Sequence, residues 1–345
     1  MKQKTKRMEK KNNENRIEYI DIARGIAIIL MVLGHVIDVS LSRNFIFSFH
    51  MPLFIIISGF FYKDDSWKNA IVKGIKKLII PYIICIIITD ILLAMFNRNI
   101  EYINVIDFLK QIFFSYAFSG IFTFFNAKPL SHLWFFPLLL LTKLIFKYDK
   151  TVCKNEFQML ALITFEVYIG YIFGVFRIFL PWSFDVALYS LIFYYFGYLL
   201  KKYNILEKIF SNKSVLALLT TIWLLGMCLN SIELATRRYP GGIWCAIVAI
   251  CGSVVVIYIS KLIDNRLKNI SKILKWYGKN SCWIILLHFM EKELINYDFL
   301  NVFSNKGYVC FIEFICKIII ITFFMVMIVK IKKNINGRIG VKQNV

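Results

Sequence analysis

Near the start of the chain, four side chains are of the wrong kind for their surroundings. Asp21, Arg24, His35 and His50 sit in IEYIDIARGIAIILMVLGHVIDVSLSRNFIFSFHMPLFIIISGFFY, residues 17–62, a stretch that is otherwise strongly apolar. Ionisable groups in such a setting are costly to bury and mark sites of function. Imidazole titrates near neutral pH and suits general-base work. Arginine offers a planar fork for phosphate or carboxylate. On a continuous helix, residues eleven apart at about 100° each return to nearly the same face, roughly 16 Å along the axis. Arg24 and His35 have that spacing, with Asp21 and Asp38 near the same stripe. A polar track along one helix face is therefore expected. Asp38, one turn beyond His35, is placed to orient the imidazole as a carboxylate orients the histidine of a triad.

The elements that must hold these residues are membrane-spanning helices. The 345 residues are 59% hydrophobic, with 33 Phe and 6 Pro, and the apolar residues come in long runs rather than in alternation. We expect an all-α polytopic bundle of about ten spans, near 19–38, 45–62, 78–96, 132–147, 158–176, 184–200, 214–232, 243–261, 281–297 and 309–329. Residues 1–16 and 331–345 read as basic cytoplasmic tails, and 17–330 as one membrane domain. The first sixteen residues lack the apolar core and cleavage site of a secretory signal. The segment 100–130, with Asp107 and Lys110, reads as an amphipathic or re-entrant piece that roofs a cavity on the outer face.

The net charge of +21 invites a nucleic-acid reading, but its placement explains it otherwise. With both termini cytoplasmic, most Lys and Arg sort to one side, as the positive-inside rule requires. Nucleic acid is thereby excluded as a partner, and the lipid bilayer takes its place. Lys73, Lys76 and Lys77, with Pro81 shaping the helix entrance behind them, form a cytoplasmic cluster that suits a polyphosphate ligand. His132 and Trp134 open the fourth span near the outer surface, where Trp anchors interfaces and either residue could line a substrate site. Asp90, Glu166, Asp185 and His288 are further polar groups at membrane depth. The eight cysteines, Cys245/Cys251 and Cys310/Cys316 among them, have helical surroundings and no metal or redox spacing. No metal site, disulfide framework or bound cofactor is expected.

Four runs carry a family resemblance: IDIARGIAIILMVLGH, FSFHMPLFIIISGFFY, HLWFFPLLLLTKLIF and FDVALYSLIFYYFGYLLKK. Together they resemble the acyltransferase-3 family of integral membrane O-acyltransferases, over about 17–330. The most specific part is an Arg followed after ten residues by a His, here Arg24 and His35, supported by His50, Pro52, Ser58 and Gly59. The FDVA and YYFGYLL runs are nearest to the fucose 4-O-acetylase-like branch, and the chain looks like a stand-alone member without an appended esterase-like domain. The resemblance implies transfer of an acyl group, usually acetyl, from cytoplasmic acyl-CoA to a hydroxyl of a cell-surface or lipid-linked glycan. Acetyl-CoA would be a co-substrate, and polysaccharide-biosynthesis machinery a partner. Many members carry two Arg three apart before the third span, where this chain has Lys73 and Lys76; Lys keeps the charge and loses the bidentate fork.

A mechanism follows. Arg24, Lys73, Lys76 and Lys77 hold the CoA phosphates. The pantetheine arm runs along the Arg24–His35 face. His35 deprotonates the acceptor hydroxyl, which attacks the thioester. His50 binds the acceptor, stabilises the oxyanion or carries the acyl group. The competing reading is a transporter or flippase, since polar tracks also mark transport paths; similar membrane domains joined to serine racemases point that way, and no racemase-like sequence is present here. The Lys-, Ile- and Asn-rich composition suits a bacterium with an AT-rich genome and location in its plasma membrane.

Overall fold

A computed structural model describes residues 17–37, 39–96, 105–117, 122–123, 129–229, 232–303 and 305–342. Helices make up nearly all of it. In chain order they are α1 (Glu18–Gly34), α2 (Ser40–Phe47), α3 (His50–Phe60), α4 (Trp67–Gly74), α5 (Ile80–Met95), α6 (Val105–Phe114), α7 (Phe135–Val152), α8 (Glu156–Val175) and α9 (Phe184–Lys202). They continue with α10 (Ile205–Ser211), α11 (Lys213–Leu229), α12 (Ile243–Arg266), α13 (Lys268–Lys279), α14 (Ser281–Leu294) and α15 (Lys306–Lys342). A π-helical stretch, Ile75–Ile79, joins α4 to α5. Two two-residue strands, Phe122–Thr123 and Ile178–Phe179, pair in parallel.

Among the described residues, six helical stretches are long and apolar enough to cross a membrane, or seven if the bent pair α10–α11 is one span. The protein is thus a multi-pass membrane protein. Outward faces agree: Ile84, Ile87, Ile88 and Ile91 on α5, and Phe311, Ile319 and Phe323 on α15, are exposed. Bare apolar surface of that extent belongs against lipid tails.

Helix α1 has 17 residues and is packed within the bundle. Ile20, Ile22, Ala23, Ala27, Ile28 and Val32 are buried almost completely all round it, and it packs against α13, α12, α3 and α14. A helix wrapped by others can carry Asp21 and Arg24 at far lower cost than one in lipid. The amphipathic α13 lies along it, with Gly25 against Leu274 and Gly278 against Asp21.

A second close helix crossing joins α3 to α9. A Cβ on Gly59 would stand 2.0 Å from the Tyr194 carbonyl oxygen, and one on Gly197 2.0 Å from that of Ile56. Small residues that let backbones meet are the usual cement of membrane helices. Gly59→Val is therefore expected to destabilise the protein by about 1–3 kcal/mol or more through overpacking, seen as a lower melting temperature in detergent. Unchanged melting would contradict so close a crossing.

The expectation for the first helix changes. Helix α1 ends at Gly34, and His35 is its cap residue, with φ −85° and ψ −9°. The first helix therefore does not run to residue 38, and His35 stands at its C-terminal end instead of on its face. Ser40–Phe47 then forms a separate short helix before α3. Asp38, the whole predicted tail 1–16 and residues 343–345 of the other tail lie outside the described residues. In 100–130 the described helix α6 has ten residues, about 15 Å, too short to cross a bilayer. Its Ile112 carbonyl accepts from Tyr82 Oη at 3.2 Å and from Trp182 Nε1 at 3.0 Å, which ties it across α5 and the start of α9.

Candidate active site

Three histidines from three distant parts of the chain meet at the lip of α1. His35 caps that helix; His132 lies on the 3₁₀ turn Ser131–Trp134 that opens α7; His288 lies on α14. The His35 ring centroid is 4.0 Å from that of His132 and 5.6 Å from that of His288, and His132 is 4.5 Å from His288. His132 is 7% exposed and His288 fully buried, whereas His35 opens to solvent.

Hydrogen bonds hold the two buried rings from behind. His288 Nδ1 lies 3.0 Å from Glu291 Oε2, and Glu291 Oε1 accepts from Lys317 Nζ at 2.9 Å. Lys317 also meets Glu313 at 3.3 Å. His132 Nδ1 lies 3.2 Å from Ser131 Oγ, which accepts from Lys292 Nζ at 3.0 Å. A carboxylate behind an imidazole fixes its orientation and strengthens its outer nitrogen as a base. Glu291 does for His288 what Asp38 was expected to do for His35.

Two cavities adjoin this cluster, and His35 lines both. One is a narrow apolar slot between Ile28, Met31, Phe54, Trp134 and Ile285, with about 50 Å³ of open space. The other, of about 420 Å³, is polar, lined by Lys292, Glu293, Asn296, Tyr297, Asp298 and Lys317. His35 therefore stands where an apolar and a polar compartment touch.

The remaining predicted residues divide between the two ends of the molecule. His50 lines the apolar slot, but the Phe47 ring contacts both His50 and His35, with centroids 4.9 and 6.2 Å away. His50 Nδ1 donates to the Ile46 carbonyl at 2.9 Å. Trp134 is buried in the slot wall, so it is not the interfacial anchor that its position near the outer surface suggested. Arg24 lies one turn below Ile28, the lower end of the slot. It sits 3.5 Å from Asp21, with its guanidinium 5.4 Å from the Phe61 ring centroid. Lys73, Lys76 and Lys77 are exposed, on α4 and the π-helical turn that follows it. Lys73 bonds Asp65 at 2.8 Å, which holds that carboxyl below the usual carboxylate range.

Sequence reasoning treated His288 as one polar group among several and gave Glu291, Lys292 and Lys317 no role in the site. The available signal was that Lys317, Glu291 and Glu313 lie in apolar helices, where charges must pair. It also expected no metal site, yet the three imidazoles offer nitrogens within 4.8 Å of one another, close to a metal-ligand spacing.

A family model described as an acyltransferase domain matches residues 17–330. The chain belongs to the acyltransferase-3 family. Among curated proteins, the nodulation protein NolL of Sinorhizobium fredii (strain NBRC 101917 / NGR234) is 31% identical over 121 residues. The match covers 30% of this chain and 33% of NolL, so it spans about a third of that relative. No solved structure matches the chain.

Proposed function

We propose that this protein is an O-acyltransferase that moves an acetyl group from cytoplasmic acetyl-CoA to a hydroxyl of a cell-surface or lipid-linked glycan, in a bacterial plasma membrane. The observation that carries the reading is the position of His35 between an apolar and a polar cavity. A thioester arm is apolar and slender; a sugar is hydroxyl-rich and broad. Each cavity suits one of them, and the base they need stands between.

The acceptor hydroxyl enters from the polar side and gives its proton to His35. Its oxygen attacks the thioester carbon directly. His50, screened by Phe47, shapes the slot and is not needed as an acyl carrier. The cytoplasmic end supplies charge: Arg24 and the lysines at 73, 76 and 77 bind the CoA phosphates, with Lys73 exchanging Asp65 for phosphate. Replacing all three lysines by Ala is expected to raise KM for acetyl-CoA about tenfold, the effect of ~1.4 kcal/mol, with little change in kcat. An unchanged KM would place the nucleotide elsewhere.

Ten spans with both termini cytoplasmic fit the same reading, since they put the histidines outside and the lysines inside. Surface-glycan O-acetylation, measured by NMR in wild-type and deletion strains, tests the function. Equal acetyl content in both would overturn it and favour transport.

A further inference from the structure

The two buried imidazoles are not chemically alike, and their neighbours determine how they differ. A neutral imidazole has one N–H and one lone pair, so the partner at Nδ1 decides what Nε2 presents. Behind His288 stands Glu291, a carboxylate held by Lys317. A carboxylate in that state accepts and does not donate, so His288 Nδ1 carries the hydrogen and Nε2 presents a lone pair. Behind His132 the polarity is reversed. Lys292 has only donors, so Ser131 Oγ accepts from it. The serine has one hydrogen to give, and among the described contacts His132 Nδ1 is the acceptor in reach. His132 Nδ1 therefore accepts, and Nε2 carries the hydrogen.

Both Nε2 atoms are buried and have no hydrogen-bond partner among the described residues. A group placed at the junction would find a fixed donor on one side and a fixed acceptor on the other. Lys292 and Lys317 also line the adjoining polar cavity, bringing positive charge to that side of the cluster.

We propose that His132 is the oxyanion donor of the acyl transfer, and that Ser131 and Lys292 are positioning residues that keep its proton on Nε2. The proposal rests on the acyltransferase reading. As the acceptor oxygen bonds to the thioester carbon, the carbonyl electron pair moves onto oxygen, which accepts from His132 Nε2–H. The hydroxyl proton passes to His35. The intermediate collapses, the carbon–sulfur bond breaks, and the leaving thiolate takes that proton. The products are ester and thiol, with no other reactant consumed. A pre-set donor aimed at developing charge needs no reorganisation in the transition state. The same relay argues against a metal at the three histidines, because a metal needs a lone pair on each imidazole and the relay fills that of His132 with a proton.

The chain has four histidines, so imidazole-¹⁵N-labelled full-length protein in detergent micelles gives few ring signals, assignable with single-histidine variants. The expected spectrum has His132 protonated on Nε2 and His288 on Nδ1, with Ser131→Ala releasing the His132 tautomer. In turnover, His132→Ala is expected to lower kcat about 10²–10³-fold, leaving KM and the pH profile near wild type. His132→Gln, which keeps an N–H donor, should recover part of the loss. A His132 proton on Nδ1, a kcat within a few-fold of wild type in His132→Ala, or one equivalent of metal lost with His132 would each overturn the proposal. The spectrum does not depend on turnover. Wild-type protein that transfers no acyl group would sink the enzyme reading and this role with it, whereas turnover with the wrong tautomer would sink this role alone.

Discussion

His35→Ala is expected to lower kcat for acyl transfer by roughly 10²–10⁴-fold, the range that a positioned general base contributes. Protein level and melting temperature should stay near wild type. The two expectations differ because of where the residue sits. His35 is exposed at the end of α1, and its ring meets the His132 and His288 rings at the mouth of an open cavity. Truncation leaves space that solvent can fill, without the cavity cost of a dry core. The chemistry has no such substitute, because water at the junction is a far weaker base than imidazole at neutral pH. Initial rates with labelled acetyl-CoA in membranes, normalised to protein by immunoblot, make the comparison. A variant that retained a third of wild-type kcat would remove His35 from the mechanism.

Arg237→Ala is expected to cost about 3–5 kcal/mol, the usual penalty for leaving one member of a buried ion pair alone. Arg237 and Asp185 have side-chain exposures of 0% and 1%. Arg237 Nε donates to Asp185 Oδ2 at 2.8 Å and Nη2 to Oδ1 at 3.3 Å. Nη1 and Nη2 also donate to the Ala235 carbonyl at 2.9 Å and to Ser183 Oγ at 3.2 Å. Asp185 Oδ1 accepts in addition from the Leu180 amide at 3.1 Å. The guanidinium lies 4.1 Å from the Phe179 ring centroid, a cation–π contact. This knot ties the loop after α11 to the start of α9. Ile232, Leu234 and Ala235 of that loop wall the apolar slot. The variant should therefore lose both thermal stability and activity, and adding Asp185→Asn should restore part of the stability by removing the orphaned charge. Melting of the single and double variants in detergent checks this; equal melting of wild type and Arg237→Ala would contradict a buried pair.

The helices were legible in the sequence because long apolar runs leave a membrane chain few alternatives. Each of the ten predicted stretches overlaps a helix in the structure, although among the described residues six, or seven with the bent pair, meet the length and hydropathy of a span by themselves. The short or more polar helices, α1 and α14 with Arg24 and His288, are those packed inside or bearing the site, and hydropathy under-reports them. Helix ends were less legible. The helical spacing of Arg24 and His35 holds only as far as Gly34, since the chain turns at His35.

What the sequence withheld was which polar groups meet. His132 and His288 are 156 positions apart, and no periodicity within either helix announces that their rings touch. Arg237 reads as an external charge, but it is buried because Asp185 is there to receive it. The carboxylate expected behind His35 was Asp38, outside the described residues; the one the structure shows in the cluster is Glu291, on His288. Pairing of buried charges is fixed by tertiary packing, so it emerges only when the helices are assembled.

Transfer across the bilayer is the central claim, and sealed membrane vesicles test it most directly. Acetyl-labelled acetyl-CoA would be supplied to the cytoplasmic face of inverted vesicles, with His35→Ala vesicles at matched protein level beside them. The account predicts a base-labile acetyl ester on glycan or lipid-linked sugar in wild-type vesicles, and its loss in the variant. Ester formed equally in both, or formed only when acetyl-CoA is supplied to the opposite face, would contradict it.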